Sequence, residues 1–217
     1  MKIFAISGLG ADERVFNYLT LDHEIVPIRW IAPRKKETII AYSKRLIQEY
    51  RISEENDYAI LGVSFGGLIA IEMSKIVNPK WTILISSIET RTELSSIIKL
   101  LGKSKLLNLI PKEILKPPLF FAQFIFGTDQ KKLLKAILKD SDLTFTKWAL
   151  KELTNWKNET RLPNLIKIGG SKDILLPAKG NNTILIEHGT HFMIVDKAEE
   201  ISNLLNEKLE NEHIPKK

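Results

Sequence analysis

Short apolar runs and amphipathic segments alternate along most of this chain. Six runs of four or five residues are almost entirely apolar, and they are 2–6, 24–28, 58–61, 81–85, 165–168 and 183–186. Such runs are typical of strands that are buried on both faces of a parallel sheet. Apolar residues at helical spacing occupy the segments 12–19, 36–50, 66–77 and 196–209. We therefore predict a three-layer α/β/α fold with a mostly parallel sheet of about six strands.

One long region departs from this alternation. Between about residues 90 and 161 the chain has no strand pattern, and it contains apolar, lysine-rich helical pieces at 95–101, 113–126, 131–139 and 144–156. Prolines and a glycine separate the pieces, and the region is too long for a plain loop. We predict one domain over residues 1–217, with a helical cap inserted between the fourth and fifth strands.

Composition narrows the classes of partner. The net charge is +6, but the basic residues are scattered and no aromatic residues alternate with them, so we expect no nucleic-acid partner. No apolar run approaches the roughly 20 residues of a membrane span, and the first residues resemble a strand rather than a signal peptide. The chain has no cysteine, which excludes disulfides and a thiolate nucleophile. We expect a cytoplasmic monomer or homodimer that acts on a small molecule and uses no metal or organic cofactor.

A glycine-flanked serine is the main chemical signal. Gly62-Val63-Ser64-Phe65-Gly66 follows an apolar strand and precedes a helical segment, which is the context that gives the G-x-S-x-G pattern its meaning. Glycines two residues to either side allow the strand and the helix to approach closely around a strained turn. We predict that Ser64 is a nucleophile; the alternative is a glycine-rich turn with a capping serine.

A serine nucleophile needs a general base, and the base needs a carboxylate to orient it. Two histidines, His188 and His191, follow the last predicted strand, at the edge where parallel sheets place their sites. We choose His191 because it lies further into the loop. We expect His188 either at the surface or behind the residues that contact the substrate. Asp173 follows the preceding strand and is the expected acid, with Glu89 as the rival.

Two backbone N–H groups are candidates for binding an oxyanion. One belongs to Phe65, directly after the nucleophile, and the other to Leu9 in the glycine-containing loop after the first strand. A nucleotide-binding interpretation of that loop fails because Glu13 stands where G-x-G-x-x-G needs its third glycine.

Together these motifs resemble those of the α/β-hydrolase superfamily, over nearly the whole chain. The resemblance rests on Gly8-Leu9, the Ser64 turn, the insertion after the fourth strand, Gly170-x-x-Asp173 and Gly189-x-His191. It implies a Ser–His–Asp triad and a cap that shapes the substrate pocket. Two departures are that Ser7 stands where many members have histidine, and that the family's leading antiparallel strands are expected to be absent.

The cap carries a cluster of apolar and mostly aromatic side chains, which either line an apolar acyl pocket or only pack the cap onto the sheet. The cluster consists of Leu119, Phe120, Phe121, Phe124 and Phe126, and we take Phe120, Phe121 and Phe124 as the substrate-binding candidates. The expected function is hydrolysis of a carboxylic ester of a small to medium apolar acid through an acyl-enzyme. The alternatives are a C–C-bond hydrolase or lyase on the same triad, and a non-catalytic ligand-binding relative.

Overall fold

The computed structural model describes residues 1–104, 106–180 and 182–210. Its centre is one sheet of six strands in the order β2-β1-β3-β4-β5-β6, and all neighbouring strands pair in parallel. The strands are β1 (Lys2–Ile6), β2 (Glu24–Ile28), β3 (Tyr58–Val63), β4 (Trp81–Ile85), β5 (Leu165–Gly170) and β6 (Thr183–Ile186). The predicted fold class is confirmed, and the sheet is parallel throughout.

Helices cover both faces of the sheet. They are α1 (Ile39–Glu49), α2 (Phe65–Val77), α3 (Ser96–Ser104), α4 (Leu106–Leu109), α5 (Leu119–Phe126), α6 (Lys131–Asp140), α7 (Leu143–Asn155), α8 (Met193–Asp196) and α9 (Ala198–Glu210). Short 3-10 helices occupy Glu13–Tyr18, Ile52–Glu54, Arg91–Glu93 and Lys112–Leu115. Among the described residues, no helix is long and apolar enough to cross a membrane.

Two predicted helices differ in detail from the observed ones. The segment predicted as one helix over 113–126 is divided into a 3-10 turn and α5, because Pro117 and Pro118 lack the N–H groups that would continue the first piece. The segment 12–19 forms a 3-10 helix, whose first turn is capped by the carboxylate of Asp12.

The sheet separates two hydrophobic cores, and β1 shows how the sequence builds both. Phe4 and Ile6 point to the side of α1, α2 and α7, whereas Ile3 and Ala5 point to the side of α8 and α9. Because successive side chains of a strand alternate between faces, a strand that is apolar at every position is buried on both.

The parallel arrangement also determines where the site lies. All six carboxyl ends of the strands meet at one edge, so the loops after β1, β3, β5 and β6 lie there together. These loops carry Leu9, Ser64, Asp173 and His191. Helices α3 to α7 all lie in the chain between β4 and β5.

Candidate active site

Ser64 occupies a sharp turn between the end of β3 and the first residue of α2. Its backbone has φ +52° and ψ −120°, a conformation that a non-glycine residue adopts only when its surroundings hold it there. A side chain at Gly66 would place its Cβ 2.2 Å from the carbonyl oxygen of Ser7, and one at Gly62 would lie 2.4 Å from the carbonyl oxygen of Gly66. The turn therefore requires both glycines. The hydroxyl of Ser87 donates a 2.7 Å hydrogen bond to the carbonyl oxygen of Ser64 and holds the turn from below.

His191 connects Ser64 to Asp173. Its Nε2 lies 2.8 Å from the Oγ of Ser64, and its Nδ1 lies 2.8 Å from Oδ2 of Asp173. The ring and the carboxylate are buried, whereas Ser64 is half-buried. A serine hydroxyl, an imidazole and a carboxylate in this line are arranged for proton transfer from the hydroxyl to the ring.

The second oxygen of Asp173 is held by the backbone. Its Oδ1 accepts hydrogen bonds of 2.9 Å from the N–H groups of both Leu175 and Leu176. The carboxylate therefore cannot rotate without losing two hydrogen bonds, and Oδ2 stays directed at the ring.

The loop that carries His191 packs closely against β5. A Cβ at Gly170 would lie 2.2 Å from the carbonyl oxygen of Gly189, so this contact is made by backbone alone. The N–H of Phe192 donates to the carbonyl oxygen of Phe126, and the ring centroids of Phe126 and His191 are 5.7 Å apart. The last turn of α5 thus contacts the histidine directly.

The rival base and acid lie elsewhere. His188 has an exposed side chain, and its Nδ1 is 3.7 Å from a carboxylate oxygen of Glu187. Glu89 is buried but is paired with Arg161 and accepts a hydrogen bond from the N–H of Leu162. Of the two acids considered, only Asp173 contacts the imidazole. His213 lies outside the described residues.

The two loops expected to bind an oxyanion flank Ser64. Phe65 directly follows it at the start of α2, and Leu9 follows Gly8, where an added Cβ would be 3.2 Å from the Cβ of Ser64. The ring of Phe65 is buried among the aromatic side chains of Trp30, Phe145 and Trp148, with centroid separations of 5.9 to 6.3 Å. This packing fixes the first residue of α2.

A cavity of about 410 Å³ opens above Ser64 and His191. Its walls are mostly leucine and other apolar side chains from α3 to α7 and from the segment after Asp173. Besides the serine and the histidine, the polar residues that line it in the described part of the chain are Ser141, Thr146, Thr154 and Lys116. The hydroxyl of Thr146 donates to the carbonyl oxygen of Asp142, which caps α7, and that of Thr154 donates to the carbonyl oxygen of Lys151 within α7. Neither hydroxyl therefore has its proton free for a ligand.

The prediction that Phe120, Phe121 and Phe124 bind substrate does not agree with their positions. Their side chains are 74%, 47% and 73% exposed, and none of them lines the cavity. Ile125 and Phe126 at the end of the same helix line it instead. An eight-residue helix with seven apolar positions has no polar face, so its pattern does not show which side faces inward.

Sequence reasoning missed Ser87 as a support of the turn. Its signal was its position directly after β4, at the edge of the sheet where the other site residues lie.

The comparisons with known proteins concern the fold of the chain. No protein-family model matches the chain, and no curated protein sequence matches it either. Among solved structures it is similar to a thermophilic esterase from Thermogutta terrifontis, with TM-score 0.73 and 12% identity over 99% of this chain and 91% of that one. An esterase from Exiguobacterium antarcticum has TM-score 0.72 and 16% identity over 96% and 91%. A hydrolase from Oleispira antarctica has TM-score 0.71 and 13% identity over 97% and 91%.

These identities are too low to transfer an activity, but the shared architecture is extensive. The similar structures and the parallel six-stranded sheet together show that the chain has the α/β-hydrolase fold.

Proposed function

We propose that the protein is a serine hydrolase that cleaves carboxylic esters of small to medium apolar acids. The observation that carries the proposal is the line of 2.8 Å contacts from Ser64 through His191 to Asp173, at the floor of an apolar cavity. A purely ligand-binding protein has no need of these three side chains in this order. The names of the similar structures, two esterases and a hydrolase, support the same class of reaction.

The reaction begins with a proton transfer. Nε2 of His191 accepts the proton of Ser64 as Oγ attacks the ester carbonyl carbon, and Asp173 stabilises the imidazolium that forms. The imidazolium then gives the proton to the leaving alcohol oxygen, the C–O bond breaks, and an acyl-enzyme on Ser64 remains. Water attacks the acyl-enzyme with His191 as base, which releases the acid and restores Ser64.

The backbone N–H groups of Leu9 and Phe65 bind the oxyanion of each tetrahedral intermediate. Both residues line the cavity on either side of Ser64, which supports this role. The N-terminus of α2 adds a favourable dipole at the same place.

Residues 90–161 act as a cap within a single domain. Helices α3 to α7 of this segment supply most of the cavity wall, and Ser141 donates to the carbonyl oxygen of Gly10 in the oxyanion loop. The acyl chain lies against the leucines of the cap, because the cavity offers few polar partners besides the catalytic groups.

A fluorophosphonate probe tests the proposal directly. We expect the wild-type protein and a Ser53→Ala variant to be labelled equally. Ser53 is exposed and precedes β3, whereas Ser64 follows the other end of that strand. The Ser64→Ala variant is expected to show no labelling. A wild-type protein that is not labelled at Ser64 would refute the hydrolase.

A panel of p-nitrophenyl esters of increasing chain length then tests the substrate class. Hydrolysis that rises from acetate to medium chains is the expected result, and a strict preference for acetate would contradict the proposed acyl pocket.

A further inference from the structure

The outer surface of the cap is unusually apolar. Among its described side chains, six large hydrophobic ones are each at least 67% exposed, and they are Ile97, Leu100, Leu109, Ile114, Phe120 and Phe124. We call these six residues the apolar rim. Single exposed hydrophobic residues are normal, but a concentration within one short segment indicates an interaction surface.

The elements that carry the apolar rim also line the cavity. On α3, Leu100 is exposed while Ile98 faces the cavity. On α5, Phe120 and Phe124 are exposed while Phe126 faces the cavity. The apolar rim and the substrate cavity are therefore the outer and inner faces of the same elements.

Two packed helices hold these elements in place. Helix α7 contacts α3, α4 and the Lys112–Leu115 turn, and α6 contacts α5. The elements that carry the apolar rim are thus packed against other helices of the cap.

Positive charge is concentrated in the same segment. Fourteen of the 32 basic residues but only seven of the 26 acidic residues lie between residues 90 and 161, so this segment carries +7 and the rest of the chain −1. Six exposed lysines lie on these elements or next to them. Lys116 lines the cavity, Lys112 begins the 3-10 turn just before it, and α6, which packs next to α5, carries Lys131, Lys132, Lys135 and Lys139.

Exposed aromatic and aliphatic side chains among lysines match the chemistry of an anionic lipid surface. The apolar groups enter the acyl boundary, and the ammonium groups pair with the headgroups. A second copy of the chain fits less well, because a symmetric contact would bring two lysine-rich surfaces together.

We propose that the apolar rim and the exposed lysines of the same segment dock the cap onto an anionic lipid surface. An ester held in that lipid layer then enters the cavity past Lys116 without crossing bulk water. This second step rests on the hydrolase proposed above, whereas the docking does not.

Vesicle cosedimentation of the whole protein tests the docking, with the Ser64→Ala variant used so that no lipid is consumed. Binding to vesicles of phosphatidylcholine mixed with phosphatidylglycerol is expected, with at least about tenfold weaker binding to phosphatidylcholine alone. Raising the salt from about 0.1 M to about 1 M is expected to weaken the binding, because it shortens the Debye length from about 10 Å to about 3 Å. Equal binding to both vesicles, or to neither, would overturn the proposal.

Two variants separate the two parts of the surface. In the Ser64→Ala parent, Lys131→Glu/Lys135→Glu is expected to weaken binding to anionic vesicles by about tenfold or more. With Ser64 intact, the same pair of substitutions is expected to leave hydrolysis of a soluble short ester as fast as in the wild type. Phe120→Gln/Phe124→Gln is expected to weaken binding similarly while its circular dichroism spectrum is unchanged. The matched control Lys44→Glu/Lys208→Glu changes exposed helical lysines outside the cap and is expected to bind like the parent.

The outcomes distinguish this proposal from the proposed function. Vesicle binding without esterase activity would refute the hydrolase and leave the docking standing. Esterase activity without vesicle binding would refute the docking alone. Self-association that is lost in Phe120→Gln/Phe124→Gln, with no vesicle binding, would identify the apolar rim as a contact between copies and overturn the proposal.

Discussion

Ser64 depends on residues that carry no reactive group. Its positive φ is tolerated because β3, α2 and the end of β1 approach at backbone distance around Gly62 and Gly66. The strain at Ser64 is thus offset by the packing of the three elements that surround it.

We expect Gly66→Ala to destabilise the protein by about 3 kcal/mol and to abolish ester hydrolysis, because the new methyl group would overlap the backbone of Ile6 and Ser7. The control is Gly180→Ala, where the added Cβ meets nothing nearer than 3.9 Å and only the φ of +91° is unfavourable. Its expected cost is about 1–2 kcal/mol with activity retained. Chemical denaturation measures both values, and equal costs would contradict the steric explanation.

Asp173→Asn is expected to lower kcat by roughly 10³- to 10⁴-fold. The N–H groups of Leu175 and Leu176 need an oxygen, so the new amide would direct its NH₂ at Nδ1 of His191. The ring would then carry its proton on Nε2 and could not accept one from Ser64.

Glu89→Gln is the matched control for that variant, since Glu89 pairs with Arg161 and not with the histidine. We expect its kcat to stay within about threefold of the wild type, as for a residue outside the reacting set. Steady-state kinetics on a soluble ester measures kcat for both variants. Loss of kcat in Glu89→Gln alone would identify Glu89, and not Asp173, as the acid of the triad.

At the scale of elements, β5 contains a buried charge. Lys167 is only 4% exposed, and it pairs with Glu93 of the short helix after β4 and donates to the carbonyl oxygen of Lys179. The pair therefore joins the strand before Asp173 to the start of the cap.

Replacing one partner of this pair should cost more than replacing both. Glu93→Gln is expected to destabilise the protein by about 3 kcal/mol, because it leaves a buried ammonium without its anion. The double variant Glu93→Leu/Lys167→Met is expected to lie within about 1–2 kcal/mol of the wild type. Urea unfolding measures both, and a double variant less stable than the single one would show that the pair is net stabilising.

Glu37 links the loop before α1 to the cap helix α7. Its carboxylate accepts hydrogen bonds from Arg45, and its carbonyl oxygen accepts one from the indole N–H of Trp148. The hydrogen bonds from Arg45 are the main reason that the pKa of Glu37 lies below its usual value of 4.5, and they outweigh the opposing effect of burial.

A lowered carboxylate pKa stabilises the folded state above the unfolded pKa, and this contribution is lost as the pH falls through the folded pKa. We expect Glu37→Gln to be about 1 kcal/mol less stable than the wild type at neutral pH, a small value because solvent screens the attraction between Glu37 and Arg45. The difference should shrink below about pH 4.5, as the wild-type carboxylate becomes protonated. Thermal unfolding across this range measures it, with the exposed Glu49→Gln as control; a constant difference would contradict the assignment.

At the scale of the whole molecule, we expect the cap to control which esters reach Ser64. Leu150 of α7 lines the cavity, so Leu150→Trp should fill part of its 410 Å³. We expect kcat/KM for the longest accepted ester to fall by about tenfold or more relative to that for acetate, as the acyl chain loses its space. Rates that fall equally for all chain lengths would show that the acyl chain does not lie against Leu150.

The cytoplasmic location and the monomeric or homodimeric state stay predictions.

The strands and the order of the site residues could be predicted because both are local properties. Each apolar run reports burial on two faces, and Ser64, Asp173 and His191 each follow a strand whose carboxyl end lies at the same edge. In a parallel sheet, residues that directly follow different strands therefore lie close together, although they are far apart in the sequence.

The sequence by itself determined the α/β/α architecture, the turn at Ser64 and the loops that supply its candidate partners. Only the tertiary structure decided that His191 rather than His188 contacts Ser64 across 127 positions, and that Phe126 rather than Phe120 faces the cavity. The same holds for Lys167, a charge in an apolar strand whose partner Glu93 lies 74 positions away. The spacing of apolar residues in the sequence indicates which side of an element is buried. A contact between distant residues depends instead on how whole elements pack against one another.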